Sequence, residues 1–66
     1  MVIIRIGKGQ SPSGKILDRN THWYKIEEKE HAIKDAIESG KKIYITYHNK
    51  KYVEISLNEL KNIKIN

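Results

Sequence analysis

Lys42-Ile43-Tyr44-Ile45-Thr46-Tyr47-His48-Asn49-Lys50-Lys51-Tyr52-Val53-Glu54-Ile55-Ser56 is the stretch whose reading decides the fold. Its β-branched and aromatic residues alternate with polar ones, the period of strands rather than helices. A three-residue loop at His48-Asn49-Lys50 pairs Tyr47 with Lys51, Ile45 with Val53 and Ile43 with Ile55. Ile43, Ile45, Val53 and Ile55 then share one apolar face, with Tyr47 at its end. A two-residue loop at Asn49-Lys50 would set Ile45 against Glu54 and Ile43 against Ser56. A one-residue slip moves a strand's whole apolar set to the other face, so the first register is predicted. Its outward side carries Tyr44, Thr46, Tyr52 and Glu54, flanked by Lys42, Lys50 and Lys51.

Working upstream, a helix is expected from Glu27 to Ser39. Glu27, Glu28 and Glu30 lie in its first turn and Lys41 and Lys42 follow its last, the arrangement the helix dipole favours. Ile26, Ile33, Ala36 and Ile37 form its apolar stripe, with Ala32 beside it. Gly40 stands where a left-handed cap is usual. Val2 to Ile6 reads as a strand, with Val2, Ile4 and Ile6 on one face. His22 to Ile26 has strand composition, and Lys15-Ile16-Leu17 reads as a short strand between turns. Downstream, Ser56-Leu57-Asn58-Glu59 matches a capping box. Ile63 and Ile65 alternate with polar residues as a final edge strand would. The expected class is α+β: a small antiparallel sheet, curled or barrel-like, with one helix packed on one face in the order β-β-β-α-β-β-turn-β.

Sixty-six residues make a single domain, 1–66, whose core is small. The chain has no cysteine, so disulfides and thiolate metal sites are excluded. Pairing into a homodimer is one route to the stability such a core lacks. No apolar run approaches the roughly 20 residues of a membrane span, and Arg5 and Gly7 interrupt the apolar start well short of a signal peptide's core. A cytoplasmic location without membrane contact is the expectation.

Net charge is +5, but unevenly spread. Residues 27–38 hold five acids against two lysines, and the rest of the chain holds eleven basic residues against three acidic ones. A basic surface concentrates polyanions and speeds their encounter, although lysine-rich surfaces also serve solubility alone.

Few motifs point to catalysis. Gly9-Gln10-Ser11-Pro12-Ser13-Gly14-Lys15 has the G-x-x-x-x-G-K spacing of a phosphate-binding loop. Ile16, however, stands where a hydroxyl should hold magnesium, and no helix is expected to follow. Lys8 and Lys15 could still meet nucleic-acid phosphates from this loop. His22, His31 and His48 fall on a strand, a helix and a turn, so no metal site is expected. Serines sit in turns and caps, and Glu27 and Glu28 point to different sides of the helix. The expectation is no enzyme, no catalytic residue and no cofactor.

Aromatic residues among lysines remain. Tyr44 and Tyr52 on the outward hairpin face would stack unpaired bases, while Lys42, Lys50 and Lys51 would track phosphates. Their burial under the first strand or a dimer mate is the structural alternative. His22, Trp23 and Tyr24 form a second aromatic group, in which a lone tryptophan is expected in or at the edge of the core. The leading expectation is a small basic regulatory or accessory factor, bacterial or phage in type, contacting RNA or single-stranded DNA. The alternative is a small protein-binding regulator or inhibitor acting through its sheet face or acidic helix.

Residues 36–47, Ala36-Ile37-Glu38-Ser39-Gly40-Lys41-Lys42-Ile43-Tyr44-Ile45-Thr46-Tyr47, followed by Tyr52-Val53-Glu54-Ile55-Ser56-Leu57, resemble the opening of WYL domains. The resemblance covers at most a third of the chain, and Trp23-Tyr24 is followed by Lys25 rather than leucine. It implies an SH3-like, curled sheet with a helical turn before the last strand, in a family of bacterial ligand-sensing modules, some of which bind nucleic acid.

Overall fold

In a computed structural model, residues 2–13, 15–17, 21–47 and 51–63 are described. Strand β1 (Val2–Gly7) leads through an excursion to β2 (His22–Lys25). A 3-10 turn (Ile26–Glu28) opens into helix α1 (Lys29–Ser39), then come β3 (Lys42–Tyr47), β4 (Val53–Ile55) and a short helix α2 (Leu57–Asn62). The four strands form one antiparallel sheet in the order β2-β1-β3-β4.

The predicted hairpin register is the one observed: Ile43 pairs with Ile55 and Ile45 with Val53. The loop 48–50 lies outside the described residues. Across the central pair, Ile4 meets Ile45 and Ile6 meets Ile43. These four isoleucines are all buried, packed under Ala32 and Ala36 of α1 and Leu60 of α2. Burying one such branched side chain contributes about 1.5–3 kcal/mol, so this patch is the main source of stability.

Both helices end as their sequences dictate. Gly40 takes φ 67° and its N–H donates to the Ala36 carbonyl, a left-handed cap. At α2, Ser56 Oγ accepts from the Glu59 amide at 3.1 Å and Glu59 Oε1 accepts from the Ser56 amide at 3.2 Å, the reciprocal capping box. Lys29 Nζ donates to the carbonyls of Lys61 and Ile63, tying the start of α1 to the end of α2.

Several expectations are corrected. The sheet is open rather than barrel-like: β2 and β4 are its free edges. Lys15-Ile16-Leu17 forms no strand of the sheet; Ile16 makes one isolated bridge with Gln10, closed by Leu17 N–H to the Gly9 carbonyl at 2.8 Å. The α-helix begins at Lys29, because the chain first makes a 3-10 turn over Ile26–Glu28. Ile37 is 60% exposed, so the buried stripe of α1 runs through Ala32 and Ala36, with Ile33 half-buried. Ile63 follows α2 directly, and the rest of the expected last strand, 64–66, lies outside the described residues. Among the described residues no helix is long and apolar enough to cross a membrane.

Candidate functional site

Alternation along the strands fixes what the sheet shows on the side away from α1. Arg5 pairs with Trp23 on β2 and with Tyr44 on β3, and Tyr44 pairs with Glu54 on β4. Trp23, Arg5, Tyr44 and Glu54 therefore make one row across all four strands. In the next row, Ile3 lies between Lys25 and Thr46. Lys42 pairs with Gly7 on the same side.

Trp23 is 62% exposed on an edge strand, although a lone tryptophan was expected near the core. Ile3, Arg5, Trp23 and Tyr52 line a groove of ≈ 390 Å³. The Arg5 guanidinium lies 5.5 Å from the centre of the Tyr52 ring, a cation–π contact. It also donates to Thr21 Oγ1. Gln10 Nε2 donates to the Tyr52 carbonyl at 2.9 Å, which anchors the 8–17 excursion beside the groove.

Tyr44 is not the exposed stacking ring expected of it. Its relative exposure is 0%, because β3 is an interior strand and Tyr44 has long neighbours, Arg5 and Glu54, on both sides. Its hydroxyl and Arg5 Nε are buried, and neither finds a hydrogen-bond partner among the described residues. Burial, with Glu54 nearby, pushes the Tyr44 hydroxyl pKa up. Of the other residues singled out, Tyr52 is half-buried against Arg5, while Lys8, Lys15, Lys42 and Lys51 are exposed. Lys42 sits 3.8 Å from Glu54, a loose pair with more than half of each side chain exposed. Lys50 lies outside the described residues. Sequence reading missed Arg5, and it named Trp23 only in an aromatic group expected in or at the edge of the core. The signal available was parity: Arg5 is flanked by Ile4 and Ile6, so it must face away from their core.

A second cluster occupies the opposite side, between β2 and α1. Asp35 Oδ2 accepts from the Tyr24 hydroxyl at 2.7 Å and lies 2.6 Å from His22 Nδ1. Burial alone would raise the Asp35 pKa, but the bonds from Tyr24 and His22, with the charges of His22 and Lys41, bring it below its ordinary value. The same bond pushes the Tyr24 hydroxyl up to about 12. Asp35 and Tyr24 line a groove of ≈ 470 Å³ with His22, His31, Lys34, Glu28 and Glu38. Two of the three histidines thus meet one groove, although their spacing in the chain suggested otherwise. Among the described residues no three His, Asp or Glu side chains are grouped to hold a metal ion.

No protein-family model, curated protein or solved structure matches this chain, so its site rests on this geometry alone.

Proposed function

We propose that this protein is a small, non-enzymatic basic binding module, an accessory or regulatory factor that holds RNA or single-stranded DNA against the open face of its sheet. The observation that carries this reading is the row Trp23-Arg5-Tyr44, with an exposed indole beside a guanidinium on the face the helices leave uncovered. Lys25 and Lys42 flank that row, and the acids of α1 lie on the other side of the sheet. An exposed ring stacks on any unpaired base, and nearby cations neutralise the phosphates between bases. Relative to the expectation from sequence, the stacking role passes from Tyr44 to Trp23. Tyr52, Lys8, Lys15, Lys42 and Lys51 keep theirs.

Trp23 is the single tryptophan, so its fluorescence reports on the site directly. Titration with a mixed-sequence single strand should quench it, more strongly than an equal concentration of duplex. Affinity should fall several-fold as salt rises from about 50 to about 200 mM, because phosphate contacts release counterions. Equal response to duplex and single strand, or affinity indifferent to salt, would count against this reading.

A protein-binding regulator is the second reading. It is favoured by Val53, 59% exposed on the free edge strand β4, and Tyr47, 48% exposed on the same side of the sheet. Binding through such an apolar edge should change little with salt.

A further inference from the structure

β2 is a free edge of the sheet, and α1 packs over β1 and β2. The helical side of the ≈ 470 Å³ groove is a stripe of Glu28, His31, Asp35 and Glu38, and the strand side is His22 and Tyr24 of β2. A helix therefore stands beside an unpaired strand edge, with a cleft between them. Lys25 N–H donates to Glu28 Oε1 at 3.3 Å, so the Lys25 amide turns away from β1. Alternation along the strand turns the Trp23 N–H and carbonyl the same way, where β2 has no neighbouring strand among the described residues. A sheet edge with unmet donors and acceptors is a template for another strand.

We infer that the cleft between β2 and α1 is a docking site for an extended basic segment of a partner protein, which adds beside β2 as a fifth strand of the sheet. The inference is independent of the single-strand reading, because it uses the strand edge and the helical layer. Main-chain bonds give such strand addition its affinity, and pockets for alternate side chains give it specificity. Charge names the partner. The cleft carries three carboxylates (Glu28, Asp35 and Glu38) against one ammonium, Lys34. A second copy fits poorly, since two-fold pairing of β2 with itself would set one acidic helix beside the other, like charge against like.

Register then specifies the segment. Every strand pair in the sheet is antiparallel. An antiparallel newcomer sets one residue opposite Trp23, on the same side of the sheet, with its N–H and carbonyl bonded to Trp23. Its two chain neighbours point to the helical side, as His22 and Tyr24 do. An ammonium at either neighbour meets Glu28 or Glu38, both exposed. An apolar residue between them packs beside the exposed Trp23 ring. The expected pattern is basic residues at alternate positions with apolar ones between.

The probe is a short blocked peptide of alternating valine and lysine, titrated into the isotope-labelled full chain and followed by amide NMR. The Trp23 amide should shift and exchange more slowly, and the peptide should bind at least about tenfold tighter than its valine–glutamate counterpart. Methylating the valine nitrogens removes the N–H groups that face β2 and should abolish binding. Methylating the lysine nitrogens, whose N–H groups face outward, should leave it intact. Glu28→Gln with Glu38→Gln keeps an acceptor for the Lys25 amide and should weaken binding several-fold. Equal binding of the two methylated peptides overturns the added strand. Equal affinity for the lysine and glutamate peptides, or no loss in the double variant, overturns the basic partner. Shifts confined to Arg5 and Tyr52 put the peptide on the open sheet face and overturn the site. Sedimentation as a dimer with the Trp23 amide already protected gives the edge to a second copy instead, and no binding of the lysine peptide at low salt removes the proposal outright.

Discussion

Trp23 and Tyr44 exchange the places that composition assigns them. A tryptophan is the largest apolar side chain, and a tyrosine between lysines looks like surface. Yet Trp23 is 62% exposed on an edge strand, while Tyr44 sits on an interior strand between Arg5 and Glu54. Trp23→Ala should therefore cost little stability, within about 0.5 kcal/mol, as expected for a surface position. It should cost about 1–3 kcal/mol of single-strand binding, one lost stack. Denaturant unfolding and oligonucleotide titration of the same variant check both halves. Strand parity put Tyr44 on the outward face of the hairpin, but the pairing that brings Arg5 and Trp23 into its row came only with the fold. Which of them stays exposed depends on strand order, and order is set by contacts far apart in sequence. That is why the hairpin's half of the face was legible and the exposed ring on β2 was not. Gly40 gives the opposite case, a residue read correctly from local rules. At φ 67° a β-carbon is strained whatever space surrounds it, so Gly40→Ala should destabilise by about 1 kcal/mol in thermal unfolding.

Between elements, the hairpin register was legible because a slip would have moved one strand's two apolar residues, Val53 and Ile55, away from Ile43 and Ile45. The turn around Lys15-Ile16-Leu17 was not, since it has too few apolar residues to dictate a partner. The tie between β2 and α1 was equally hidden, because His22, Tyr24 and Asp35 meet only once the helix is docked. It predicts a pH signature. Asp35 titrates lower in the folded chain than its ordinary 3.8, so its contribution is whole above that value and is lost as pH falls through the folded value. Tyr24 is raised from 10.0 to about 12, so its contribution is whole below pH 10 and is lost as pH rises toward 12. Asp35→Asn should lower stability by about 1 kcal/mol at neutral pH, a modest figure because His22 is largely exposed. It should also flatten both limbs of the stability–pH curve. Tyr24→Phe should reduce the alkaline limb, leaving the part that the raised Tyr44 contributes, and should also shrink the acid limb, because the Tyr24 hydroxyl is one of the bonds that hold Asp35 down. Chemical denaturation across the pH range reads all three. An unchanged acid limb in Asp35→Asn would show that the tie carries no linkage.

The whole molecule measures 31 × 27 × 17 Å, and its shortest dimension is that of two layers packed about 10 Å apart, a sheet and its helices. The helices cover one sheet face; on the other, Tyr44 and Thr46 are buried while Trp23, Lys25, Lys42 and Glu54 are exposed, and most of the charge sorts between the two sides. Five acids of residues 27–38 ride on the helical layer and its 3-10 turn, while Arg5, Lys25 and Lys42 point to the other side, against one acid there, Glu54. A polyanion approaching the helical side meets like charge, so encounter and orientation are both biased toward the sheet. Single-strand binding should then respond to where a charge is removed, not merely to net charge. Lys25→Glu with Lys42→Glu lowers the net charge by four on the sheet side. It should weaken binding at least tenfold and reduce the slope of log affinity against log salt by about 1.4, two phosphates at about 0.7 each. Lys34→Glu combined with Lys15→Glu changes net charge by the same amount with one reversal on the helix. If position governs, it should weaken binding less and change the slope by at most about 0.7. Should the two double variants lose affinity and slope equally, net charge alone would drive association, and the sheet face would have no special claim on the ligand.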